Sequence, residues 1–309
     1  MEKPSEKSVS ARKVIIVSFV VDFLDILFNI IIAIISGSVV MLTQVLEGIS
    51  DLAASGILLV GFNRSLKRED KTHPFGYGRE IYFWALISAL ITFGVTATVS
   101  VYFGLERFLN PRPVHSLGLA FVVLAITIFT NGYAFFLSLR RLLRRRRLKH
   151  IVQIFYKSSL IETKTTFILD FIGTIASLLG LVALLIYVIT GDYRYDGLGA
   201  MIIGVAVGIG AALLIIGIRD LLVGRSASAE IEAKIKNAAL NVDEVTDVLN
   251  IKTLHVGPEK LLVDLDVHMR ARLTTRELEK LIDKIKQEIR QEVPAVKYIQ
   301  VELETPGKF

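Results

Sequence analysis

The sequence predicts a polytopic α-helical membrane protein that ends in a small α+β domain, and three observations lead to that fold class. Of its 309 residues, 52% are apolar and the mean hydropathy is +0.55, a balance that soluble chains of this size rarely reach. Apolar runs of spanning length recur through the first 218 residues; in lipid such runs form helices, which satisfy every backbone donor and acceptor internally. After Arg219 charge becomes dense and alternating, and short amphipathic segments replace the long runs.

The runs begin near Lys13, Ser38, Ile81, Leu117, Ser159 and Gly197, giving six transmembrane helices within 13–218 after a polar tail over 1–12. The first run is too long for a signal-peptide core, so no cleaved presequence is expected. Ser36-Gly37-Ser38 marks a tight connection to the second run, which ends at the polar loop Asn63 to Arg79. The third stops at Asn110-Pro111-Arg112-Pro113, where proline withdraws helical donors. A basic cluster from Arg140 to Lys149 ends the fourth. Thr190-Gly191-Asp192 closes the fifth, and Asp196-Gly197 opens the sixth, which reaches about Ile218.

Charge then orients the chain. Lys3, Lys7, Arg12 and Lys13 join Arg64, Lys67, Arg68, Lys71, Arg79 and the Arg140–Lys149 cluster on one side, whereas the opposite connections carry only Arg107, Arg112 and Arg194. The positive-inside rule places the first group, and both termini, in the cytoplasm of a multi-pass protein of the cell membrane. The net charge of +6 is thus accounted for by flanks facing membrane lipid, and no nucleic acid partner is expected. The chain has no cysteine, which excludes a disulfide framework and thiolate metal ligands.

Segment 219–309 reads as the order α-β-β-α-β. Ser228 to Leu240 is an amphipathic helix, and Val248–Val256 and Leu261–Met269 are strands about the turn signal His255-Val-Gly-Pro258. In the second strand Leu262, Asp264, Asp266 and His268 alternate with Leu261, Val263, Leu265 and Val267, so one face is polar and the other apolar. Thr274 and Glu277 form a capping box before a helix to about Gln291, and Val296 to Leu303 is the last strand. This order predicts helices on one face of an antiparallel sheet.

The chemistry centres on carboxylates inside apolar runs. Glu47 and Asp51 lie four residues apart on one face of the second helix. A carboxylate in hydrocarbon normally faces the bundle interior and marks an ion or proton pathway. Asp170 lies deep in the fifth run, with Thr166 and Glu162 on the same face. Three carboxylates and a hydroxyl meeting at mid-membrane make an oxygen-rich divalent-cation site suited to Mn or Fe. The same carboxylates can exchange protons, so metal and protons compete for them, which is the basis of antiport. Asp22 and Asp25, with Asn29 beyond, either extend the pathway or touch water at the boundary, while Asn131 reads as an interhelical hydrogen-bonding group.

The ordered set Glu47-x-x-x-Asp51, Asp70-x-x-His73-Pro-Phe-Gly-Tyr-Gly78 in the next loop, and Asp170 on the fifth run resembles the cation diffusion facilitator family over nearly the whole chain. The resemblance implies homodimers that export Zn or related divalent metals against protons. It implies a four-ligand site between the second and fifth helices, here Glu47, Asp51, Thr166 and Asp170, and a ferredoxin-like, metallochaperone-like cytoplasmic domain. The family usually has His or Asp at the position of Glu47 and His at that of Thr166, so the nitrogen-rich set that favours Zn is absent. Asp70 and His73 form an incomplete loop site that also reads as turn structure, and His255 and His268 read as ordinary strand histidines. Two functions stay open: antiport of Zn, Mn, Fe or Co, or a non-transporting membrane subunit or scaffold with a degenerate site. No enzyme is expected, since no nucleophile–base pair, phosphate loop or HExxH signature occurs, and no prosthetic group is implied.

Overall fold

The computed structural model describes residues 11–143 and 161–307, with side chains described over 23–140 and 167–307. Helix α1 (Ala11–Ser36) turns into α2 (Val39–Ser65) at Gly37, whose φ of +62° a side chain would resist. Helix α3 (Glu80–Ile91) continues through a π-helical turn, Thr92–Ala97, into α4 (Thr98–Leu109), making one apolar rod. Helices α5 (Leu117–Leu143), α6 (Ile161–Thr190) and α7 (Arg194–Val223) follow. Among the described residues five helices are long and apolar enough to cross a membrane, and Phe23–Ser36 is a shorter apolar helix. The polytopic helical architecture expected from the runs is therefore present; Arg144 to Lys149 of the basic cluster lie outside the described residues.

The described residues form two compact units, one from 11–57, 87–143 and 165–215, the other from 58–86, 161–164 and 216–307. Within the first, α4 and α7 meet backbone to backbone. A Cβ at Gly104 would lie 2.7 Å from Gly197 O, and one at Gly197 would lie 2.5 Å from Gly104 O. Small residues permit this approach, and close packing is what holds helices together in lipid.

In the second unit, Ser228 caps α8 (Ala229–Leu240) by accepting from Ile231 N. Strands β1 (Val245–Gly257) and β2 (Lys260–Met269) pair antiparallel across Pro258-Glu259, with Glu259 at φ +52°. The Thr274–Glu277 capping box starts α9 (Thr275–Glu292), and β3 spans Val296–Leu303. Leu261, Val263, Leu265 and Val267 are buried with Ile235 of α8 and Ile285 and Ile289 of α9, as the alternation predicts. Each such side chain contributes roughly 1.5–3 kcal/mol by leaving water. One expectation is corrected: the sheet, ordered β1-β2-β3, is mixed, because β3 pairs parallel to β2. Helix α9 carries the chain back to the end where β2 began, so β3 enters in the direction of β2.

Candidate metal centre

Glu47 is buried in α2 at 6% exposure. Gln44, one turn earlier, donates Nε2 to Glu47 Oε2 at 3.5 Å and accepts at Oε1 from Ser177 Oγ of α6 at 2.8 Å. Both partners are buried. Opposite Glu47 lies Gly173 of α6. A Cβ there would stand 2.9 Å from Asn131 Nδ2 of α5 and 3.5 Å from Glu47 Oε1. Glycine at 173 thus leaves the space in which the carboxylate and the amide sit.

These contacts set the register of α2 against α6. The two helices run antiparallel, with Gln44 beside Ser177 and Glu47 beside Gly173. One further turn on each helix brings the chain to Asp51 and Asp170, both half-buried, and then to Thr166, whose side chain lies outside the described residues. Among the described residues, no three His, Cys, Asp or Glu side chains are drawn together as a group able to hold a metal ion.

Asp25 ties α1 to α5. Its Oδ1 accepts from Thr127 Oγ1 at 3.1 Å and its Oδ2 from Asn29 Nδ2 at 3.1 Å. Asn29 also donates to Asp25 O at 2.9 Å. The side chain of Asp22 lies outside the described residues.

In the loop after α2, Asp70 Oδ1 accepts from Thr72 N (2.9 Å), Thr72 Oγ1 (2.7 Å) and His73 N (2.7 Å), and Oδ2 accepts from Tyr77 Oη at 2.7 Å. Hydrogen bonds from Thr72, Tyr77 and His73 hold its carboxyl well below the usual carboxylate range. His73 Nδ1 lies 3.0 Å from Thr72 Oγ1 and its ring packs 4.1 Å from that of Tyr77. Asp70 therefore directs its oxygens into the turn, and both residues are exposed. In the C-terminal domain His255 is buried in β1, and His268 Nδ1 lies 3.0 Å from Glu304 O.

Sequence reasoning named the carboxylates and the Asn131 amide but missed Gln44 and Ser177. Their signal was available: each is a polar residue in an apolar run, Gln44 one turn before Glu47 and Ser177 two turns after Asp170. It also missed that Arg107 and Asp196 pair, with Nε 3.5 Å from Oδ2.

The family described as Cation efflux transmembrane domain matches residues 15–222, and that described as Cation efflux protein, cytoplasmic domain, matches residues 227–305. The human proton-coupled zinc antiporter SLC30A9, mitochondrial, is 29% identical over 283 residues, covering 90% of this chain and 50% of that protein. An uncharacterized transporter of Methanocaldococcus jannaschii is 25% identical over 272 residues, covering 86% and 89%. The zinc transporter ZitB of Pectobacterium atrosepticum is 24% identical over 252 residues, covering 81% and 73%. The chain spans about half the length of the mitochondrial zinc antiporters it matches.

Proposed function

Because the chain belongs to the cation diffusion facilitator family, both of whose domains it matches, we propose that it exports a divalent metal ion in exchange for protons. The observation that carries this reading is Glu47, a buried carboxylate of α2 seated against Gly173 of α6, with Asp51 and Asp170 one turn away on the same two helices. A buried carboxylate in a membrane helix is by default a candidate for an ion or proton pathway. The zinc antiporter and zinc transporter among its relatives support the same substrate class.

In this mechanism Glu47, Asp51 and Asp170 bind the ion through oxygen and Thr166 is a weak fourth ligand or holds a water. No coordination sphere is preformed among the described residues, so ligation draws the facing turns of α2 and α6 together, and protonation of the carboxylates lets them part. Gln44, fastened by Ser177, orients the Glu47 carboxylate. An oxygen set serves Mn, Fe and Co as well as Zn. Alternation of access follows from relative movement of the helices about the site. The protein acts as a homodimer with both termini cytoplasmic, the C-terminal domain supplying dimer contacts.

Proteoliposomes enclosing a metal-sensing dye test the proposal. Flux should fall in Asp51→Ala and in Asp170→Ala, and collapse of the pH gradient should slow the wild type. Unchanged flux in both variants ends the assignment of this site, and competition among Zn, Mn, Fe and Co ranks the substrates. A second reading, a membrane scaffold with a degenerate site, is favoured by the lack of a converged ligand group. Titration calorimetry separates the two: metal binding that Asp51→Ala does not diminish favours the scaffold.

A further inference from the structure

The Val39 end of α2 holds a second buried polar cluster, which the ligand layer does not use. Asp196, in the first turn of α7, has 0% exposure. Its Oδ1 accepts from Ser38 Oγ at 2.5 Å and from Val40 N at 3.1 Å, and its Oδ2 from Val39 N at 2.9 Å. The buried Arg107 of α4 places Nε 3.5 Å from Oδ2, and donates to Gly37 O and, at 3.4 Å, to Arg112 O. One carboxylate of α7 thus satisfies amides at the start of α2 that have no partner within that helix, at the positive end of its dipole. Since α4 and α7 are already in backbone contact at Gly104 and Gly197, the start of α2 is fastened to both by charge.

Farther along, α2 meets the π-helical turn by neutral groups alone. Thr96 Oγ1 donates to Leu46 O at 3.2 Å and shares a 2.5 Å hydrogen bond with Ser50 Oγ. Leu46 directly precedes Glu47 and Ser50 directly precedes Asp51. Opening the first attachment strands a buried charge together with its donors, whereas opening the second costs only hydroxyl hydrogen bonds that find other partners. π-Helical turns inside α-helices are frequent at functional sites, and this one meets, through Thr96, the segment that bears the candidate ligands.

We propose that Asp196 is a positioning residue that makes the Val39 end of α2 a pivot, closed throughout the transport cycle, about which the Glu47–Asp51 segment swings once released at Thr96 and Ser50. The inference rests on the transport reading above. Asp51 lies about 18 Å along the helix from Val39, so a rotation of about 10° displaces it by about 3 Å, enough to make or break ligation.

The absence of native cysteine allows spin labels to be placed without background. One pair, Leu42→Cys with Arg194→Cys, reports on the pivot; the other, Ala53→Cys with Ile209→Cys, reports on the swinging segment. Labelled protein is diluted into excess unlabelled protein in nanodiscs, and distances are compared between Zn-loaded protein at high pH and Zn-free protein at low pH. The expected result is an unchanged distance for 42–194 and a shift of about 3 Å for 53–209. An equal shift at 42–194, or no shift at either pair, overturns the pivot. As a second measurement, Asp196→Asn keeps an oxygen for the capping amides but leaves Arg107 without its counter-charge. Its flux should fall by about tenfold while Zn affinity changes by less than about twofold. Wild-type flux, or an equal loss of affinity, overturns the proposal. A wild type that transports metal while moving at 42–194 rejects the pivot and leaves the transport reading intact.

Discussion

Replacing Arg107 by methionine measures what the buried pair with Asp196 contributes to stability. The variant loses the guanidinium beside Asp196 Oδ2 and its bonds to Gly37 O and Arg112 O. Removing one partner of a buried ion pair costs about 3–5 kcal/mol. Asp196 keeps its bonds from Ser38 Oγ, Val39 N and Val40 N, two of them from the positive end of α2. Methionine also preserves most of the aliphatic packing of the arginine stem. Both facts favour the lower end, about 3 kcal/mol, which corresponds to a fall in Tm of about 6–12 °C for a unit of this size. The assay is thermal unfolding in detergent by circular dichroism at one fixed scan rate, since unfolding of membrane proteins is commonly irreversible. The double variant Asp196→Asn/Arg107→Met strands neither charge and should recover about half of the loss. A Tm within about 2 °C of wild type, or a double variant no better than the sum of the singles, refutes the reasoning.

On α7, Gly197→Ala sets a methyl against Gly104 O and Phe108 N, both backbone atoms, and should destabilise by about 2 kcal/mol or more. Gly217→Ala on the same helix meets nothing within 4 Å and should be neutral or stabilising by about 0.5–1 kcal/mol, so unfolding of the two variants separates packing from helix propensity. Thr96→Val removes the hydroxyl bonds to Leu46 and Ser50; stability should drop by about 1 kcal/mol, and flux should change without a matching change in calorimetric Zn affinity. The Asp70 carboxyl has a folded pKa below its ordinary value of about 3.9. The stability it contributes to the turn is therefore present above about pH 4, and is lost as pH falls toward the folded value. Protection of the Thr72 and His73 amides, taken against the intrinsic exchange rate at each pH, should fall under acid in the wild type and lose that acid step in Asp70→Asn.

The long apolar runs, the charge bias of their flanks, the β2 alternation and the Thr274–Glu277 cap were all legible in the sequence. So were Glu47, Asp51 and Asp170 as the acids in the apolar runs of the second and fifth helices. Each depends on residues within a turn or two of one another, and periodicity and capping record such neighbours directly. The parallel seat of β3 was not legible, because β3 alone carries the same alternation in either direction and only the α9 crossover decides it. Nor was the pairing of Gln44 with Ser177, or of Arg107 with Asp196, two charges that in sequence resemble ordinary loop flanks. Sequence alone determined which segments are long and apolar and which acids they carry with them. Tertiary structure decided which of those groups meet, because a buried charge is tolerated only where a partner from a distant helix reaches it.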